Sequence, residues 1–178
     1  MSSVRGTSPR IETTTPDSAA ATVIAALRDR DLTIAVAESL TGGLLTADLV
    51  AVPGASAVVV GGVVAYSTAL KHSVLGVDAG LLAAEGPVHP LVAKQMALGV
   101  RTALAVDGRA ADIGISTTGV AGPGPQNGTP AGTVYLGFAI GDRVESVLLQ
   151  LDGDRQAIRS AVVSESLVRL AALLADPR

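Results

Sequence analysis

The chain predicts an α/β fold: three α/β/α layers built on a mixed, mostly parallel five-stranded sheet. Three observations carry this reading. From Leu32 to Leu174, apolar runs of strand length alternate with segments of helical period, the pattern of strand–helix–strand units. The composition is 48% hydrophobic but 2% aromatic, so the core is Val, Leu, Ile and Ala, as buried parallel strands require. Two further runs flank Gly141-Asp142 and read as a hairpin, which adds an antiparallel strand. With 178 residues, one domain over 16–178 is expected.

Residues 1–15 are rich in Ser, Thr, Arg and Pro and read as a disordered tail. Asp17 or Ser18 caps a helix to Arg30, with Val23, Ile24 and Leu27 inward. Leu32–Ala37 is the first strand and Gly42–Val50 the next helix. A turn at Val52-Pro53-Gly54-Ala55-Ser56 leads into a strand over Ala57–Ser67, bulged at Gly61-Gly62. Short helices follow at Thr68–Leu75 and Asp78–Ala84. Pro90 opens a longer one to Val106. Asp112–Thr117 is a strand, and Gly119–Ala131 is a loop rich in Gly and Pro. Thr133–Ile140 and Val144–Leu151 form the hairpin, and Asp154–Leu174 closes the chain as a helix.

The composition excludes several classes. Net charge is −3, without the basic surface that a nucleic-acid binder needs. There is no cysteine, which rules out disulfides, thiolate catalysis and Cys-zinc sites. With only His72 and His89 as histidines, no metal site and no cofactor are expected. Leu49–Leu70 carries no charge and is long enough to cross a bilayer. Pro53-Gly54 and Gly61-Gly62 interrupt it, and its valine runs favour a strand, so no membrane partner is expected. Met1–Arg10 lacks the apolar stretch of a signal peptide, which makes the cytoplasm the expected location. The aliphatic richness suits a homo-oligomer, a dimer or higher.

Three stretches carry chemistry. Ala37-Glu38-Ser39-Leu40-Thr41-Gly42-Gly43 joins the first strand to its helix. A serine there projects into the crevice beyond the sheet, and the backbone N–H groups of Thr41, Gly42 and Gly43 offer an anion cradle. The plain alternative is that Ser39 is a helix cap. Glu38 reads better as a loop anchor than as a catalytic group. Tyr66-Ser67-Thr68-Ala69-Leu70-Lys71 supplies a phenol and an amine. Beside a dry strand end, desolvation lowers a lysine toward 7–8, where it serves as a base; Tyr66 would relay a proton or hold the amine. The alternative is a solvated Lys71 with Tyr66 covering the core. His72 and His89 have no distinctive context, and no Gly-x-Ser-x-Gly elbow surrounds Ser39. Thr118-Gly119-Val120-Ala121-Gly122-Pro123 forms a loop whose N–H groups can nest an anion, or a plain surface loop. Arg155 and Arg159, four apart on the last helix, share a face and form a candidate phosphate pair.

Taken in order, these motifs, with Val52-Pro53-Gly54-Ala55-Ser56, Gly62-Val63-Val64-Ala65-Tyr66-Ser67, Gly132-Thr133-Val134-Tyr135 and Gly153-Asp154-Arg155, resemble the CinA C-terminal domain family, the nicotinamide-nucleotide amidohydrolases or NMN deamidases. The resemblance runs through nearly all of 17–174. It implies hydrolysis of the carboxamide of nicotinamide mononucleotide to nicotinate mononucleotide and ammonia. It implies Ser39 as nucleophile, Tyr66 and Lys71 as its catalytic partners, and Thr118 and Arg155 as ligand contacts. It also implies a five-stranded mixed sheet between helices. Many members carry a further N-terminal domain similar to molybdopterin-binding proteins. This chain is too short for it, so activity linked to that domain is expected to be absent. Gly86-Pro87-Val88-His89 stands where Gly-Ala-Val-Ser is more usual, and Gly124-Pro125-Gln126-Asn127-Gly128 is this chain's own version of the loop. Two other readings share the scaffold: a nucleotide-binding module without catalysis, and an amidase for another pyridine nucleotide.

Overall fold

The computed structural model describes residues 18–175; Asp17 and the expected N-terminal tail lie outside them. The elements, in chain order, are α1 (Ala19–Asp29), β1 (Ile34–Glu38), α2 (Leu44–Val50), a 3-10 turn (Ala55–Ala57), β2 (Val59–Val64), α3 (Thr68–Ser73), α4 (Ala79–Glu85), α5 (Pro90–Ala103), β3 (Ile113–Gly119), β4 (Thr133–Ile140), β5 (Arg143–Gln150) and α6 (Arg155–Ala175). Ser18 caps α1, its hydroxyl accepting from the Ala21 N–H at 3.1 Å. The helix after β1 starts at Leu44 and not at Gly42, because Gly42 and Gly43 take left-handed φ of +62° and +100°, a conformation glycine adopts without strain.

The sheet has the order β2-β1-β3-β4-β5. β2, β1 and β3 are parallel; β4 runs against β3 and β5. Four strands therefore point one way and β4 alone is reversed, which is the mixed, five-stranded sheet expected. The bulge in β2 falls at Val60, skipped between the pairs Ile34↔Val59 and Ala35↔Gly61, one residue ahead of the predicted glycines.

The two faces of the sheet differ in side-chain size. Ile34, Val36, Ile113, Ile115, Val134, Leu136 and Phe138 point to one face and form a core with α1, α2 and α6. Their strand neighbours Ala35, Ala37, Gly114, Ser116 and Gly137 point to the other, as period two requires. That small-residue floor lets α5 sit close. A Cβ at Gly114 would overlap the Ala97 carbonyl, and one at Gly137 the Ala93 carbonyl. The Ser116 hydroxyl donates to the same Ala93 oxygen at 2.7 Å.

Chain order places a crevice. From β1 the chain crosses to β2 on one side; from β2 it returns to β3 on the other side of β1. In parallel sheets such a reversal opens a cleft beyond the carboxyl ends of the two strands. Here those ends are Ser39 and Thr118-Gly119. Among the described residues, no helix is long and apolar enough to cross a membrane.

Candidate active site

Ser39 follows the last residue of β1, and its N–H still donates to the Thr117 carbonyl of β3 at 3.0 Å. The serine is therefore held as an extension of the sheet, 8% exposed. It is not the helix cap. Glu38 does that work: its carboxylate, fully buried, accepts from the N–H groups of Gly43 (2.9 Å), Leu45 (3.1 Å) and Thr46 (2.8 Å) and from the Thr46 hydroxyl (2.6 Å). A carboxylate on the first turn of a helix satisfies its orphan donors and its dipole together. Burial, and then the charge of Glu38, hold the Asp48 carboxyl above its ordinary range.

The Ser39 hydroxyl meets Lys71. Nζ of Lys71 donates to Ser39 Oγ at 3.0 Å and to the Ala65 carbonyl at 2.7 Å. α3 delivers this lysine inward, where it is 1% exposed. Burial lowers its pKa from 10.5 to about 8. Among the described residues no carboxylate pairs with it, so no opposite charge holds its proton in place against the desolvation.

A cavity of about 90 Å³ opens over this pair, with Ser39, Tyr66, Lys71, Thr118, Gly119, Ala121 and Arg155 among its lining residues. Seven of the residues singled out in the sequence thus converge. The Thr118 hydroxyl donates to the Pro87 carbonyl at 2.6 Å, which ties the end of β3 to the segment before α5. The Tyr66 hydroxyl accepts from Arg155 Nη2 at 3.0 Å; the amine of Lys71 is held by Ala65 and not by Tyr66. Arg155 Nη1 also donates to the Gly122 carbonyl at 3.0 Å. A second cavity, about 340 Å³, runs along residues 120–126, and Ala121, Gln126 and Arg155 line both.

Four expected ligand contacts lie elsewhere. Thr41 is fully buried, its hydroxyl 2.8 Å from that of Thr117 beneath the serine. Gly42 and Gly43 shape the turn, and the Gly43 N–H is committed to Glu38. Arg159 does not join Arg155: its Nε donates to the Leu40 carbonyl at 2.9 Å and its Nη2 to the Thr41 carbonyl at 2.8 Å. The proximity of Arg155 and Arg159 in sequence signalled a phosphate pair, yet one turn of α6 separates a cavity side chain from a backbone brace. His72 Nδ1 lies 2.8 Å from the Val77 carbonyl, and His89 caps α5.

Five cavity residues went unnamed as site residues in the sequence: Leu40, Thr68, Pro87, Val88 and Gln126. Pro87-Val88 and Gln126 did carry a signal, since both fall in the segments that depart from the resembled pattern. Among the described residues no three His, Asp or Glu side chains converge as metal ligands.

The fold and site define a class: a three-layer α/β domain with a buried serine–lysine pair at the switch point of its sheet. Within that class the chain belongs to the CinA C-terminal domain family, whose model matches residues 16–174. A CinA-like protein of Frankia casuarinae is 48% identical over 159 residues, which are 89% of this chain and 36% of that protein. The chain thus spans about a third of the length of the curated relatives it matches. Among solved structures, a CinA superfamily protein of Klebsiella pneumoniae superposes with a TM-score of 0.82 at 34% identity, covering 88% of this chain and 96% of that one. The competence/damage inducible protein CihA of Agrobacterium tumefaciens gives 0.79 at 33% identity, covering 89% and 94%.

Proposed function

We propose that this domain hydrolyses the carboxamide of nicotinamide mononucleotide, releasing ammonia and nicotinate mononucleotide. The observation that carries the reading is the 3.0 Å contact between Lys71 Nζ and Ser39 Oγ in a buried site. A serine needs a neighbouring base to become a nucleophile, and with its pKa near 8 Lys71 is the free amine in about a tenth of molecules at pH 7.

Lys71 takes the proton of Ser39 as Oγ bonds to the carboxamide carbon. The carbonyl oxygen becomes an oxyanion. The sequence pointed to N–H groups of Thr41–Gly43 for it, but Thr41 is sealed away and Gly43 serves Glu38. Leu40 lines the cavity, and the N–H of the residue after a nucleophile is a frequent oxyanion donor. One such donor contributes roughly 3 kcal/mol. The tetrahedral adduct collapses as the Lys71 ammonium returns its proton to the leaving nitrogen, and ammonia departs. Water, deprotonated by Lys71, then attacks the Ser39 ester. The carboxylate leaves, and Ser39 regains its proton.

The nucleotide part follows from size and charge. A cavity of about 90 Å³ is below the ~300–1,000 Å³ usual for small-molecule sites, so it suits the carboxamide end alone. The adjoining cavity, reached past Arg155, suits the remainder, and the exposed Arg155 guanidinium is the cation for the phosphate. Tyr66 braces that arginine.

Ammonia release from nicotinamide mononucleotide, nicotinamide riboside, nicotinamide and unrelated amides tests the reading. Turnover of the mononucleotide above the rest supports it. Release from a different amide alone assigns another substrate. Tight binding without ammonia, and no labelling of Ser39 by an electrophilic probe, identifies a binding module.

A further inference from the structure

We infer that Arg159 is a positioning residue that fixes the nucleophile's turn, resting on the reading of Ser39 above. Its guanidinium donates to two consecutive carbonyls, Leu40 at 2.9 Å and Thr41 at 2.8 Å. These belong to the first two peptides that follow the Leu40 Cα. On the other side of the serine, the Ser39 N–H is tied to the Thr117 carbonyl at 3.0 Å. The backbone of Ser39 and Leu40 is therefore held from β3 at one end and from α6 at the other.

The turn needs that second anchor. It contains Gly42 and Gly43 in succession, both with positive φ, and glycine has the widest backbone freedom of any residue. Arg159 also packs on the first of them: a Cβ at Gly42 would stand 3.4 Å from Arg159 Nη2. Peptides are planar and trans. Fixing the Leu40 and Thr41 carbonyls toward α6 therefore turns the N–H groups of Thr41 and Gly42 away from it. The peptide that carries the Leu40 N–H lies between two held peptides, one fixed through the Ser39 N–H and one through the Leu40 carbonyl, which restricts the direction of the oxyanion donor assigned above. Two donors in a rigid fork suit two adjacent carbonyls; a lysine would reach them as a single point charge.

Arg159→Ala is expected to lower kcat for the mononucleotide about 100-fold, the cost of a misplaced reacting group, with KM within about threefold. Added guanidinium ion should restore part of the lost kcat, and Arg159→Lys should fall between. Arg155→Ala should instead raise KM. Amide hydrogen exchange at Thr41 and Gly42 should quicken in Arg159→Ala, a readout independent of turnover. A raised KM with unchanged kcat would make Arg159 a substrate ligand and overturn the inference. Unchanged exchange would overturn it as well. If the native domain releases no ammonia, the reading of Ser39 fails by itself and the exchange measurement still decides the role of Arg159. If Arg159→Ala does not fold, Arg159→Lys with an unchanged kcat overturns the inference.

Discussion

Lys71 Nζ and Ser39 Oγ stand 3.0 Å apart although 32 residues separate them in the chain. The serine directly follows β1, and the lysine comes from α3, the helix after β2. Neither side chain has a second chemical partner that competes: the lysine's other contact is a neutral carbonyl, Ala65. A hydroxyl and a desolvated amine in contact have the geometry that the proposed base–nucleophile pair requires.

The rate should report that amine. With the Lys71 pKa at about 8, kcat/KM for the mononucleotide is expected to rise about tenfold per pH unit below 8 and to level off above 9. A steady-state profile from pH 6 to 9.5 checks this. A flat profile through pH 8 would remove Lys71 as the base.

Stability should follow the same group. The folded pKa, about 8, lies below the ordinary 10.5. Between those values the unfolded chain holds a proton that the native state lacks, so stability rises with pH across this window and falls as pH drops toward 8. Below 8 both states are protonated and the dependence ends. The full span amounts to roughly 3 kcal/mol. Urea titrations at pH 7.5 and 9.5 should show roughly 2 kcal/mol of that gain in the native chain and none of it in Lys71→Met, which has no charge to lose.

Adjacent residues should separate catalysis from folding. Ser39→Ala is expected to reduce ammonia release at least ~1,000-fold while shifting stability by less than about 1 kcal/mol. Glu38→Gln places an amide against a ring of N–H donors and should cost roughly 2–4 kcal/mol. Denaturation midpoints and turnover, measured side by side, check both. Retained turnover in Ser39→Ala would dismiss the nucleophile.

Tyr66→Phe addresses the phenol. Its hydroxyl meets Arg155 at 3.0 Å, so its loss should raise KM several-fold and change kcat by less than tenfold. A hundredfold fall in kcat at constant KM would instead establish Tyr66 as a proton relay.

Much of this was legible in the sequence, for physical reasons. Strand ends in an alternating α/β pattern have a known destination, so Ser39 and Thr118 could be assigned to the crevice from the order of elements. Lys71 was legible because its polar head follows a run of apolar residues that had to be buried. The roles of Thr41, Gly43 and Arg159 were not. Each is settled by a tertiary contact: Thr41 meets the Thr117 hydroxyl on the neighbouring strand, the Gly43 N–H turns back to the Glu38 carboxylate, and Arg159 reaches carbonyls more than 100 residues earlier. Residue spacing holds no record of these. The arginines illustrate the limit: i, i+4 spacing gives a shared face, but Arg159 lies one turn deeper along α6 and meets carbonyls before it meets solvent. Pro87-Val88 was flagged only as a departure from the resembled pattern and not as part of the cavity wall, because backbone and aliphatic groups carry no reactive chemistry that would assign them to a site.

The floor of glycines beneath α5 acts as a shim. Gly114 and Gly137 set how far that helix stands off the sheet, and Pro87-Val88, which line the cavity, are joined to its first turn through His89. A single methyl added in the middle of the domain would thus widen the mouth over Ser39 without touching a reacting atom. Substrate size in such a scaffold can be adjusted from the interior, by residues that never meet the substrate.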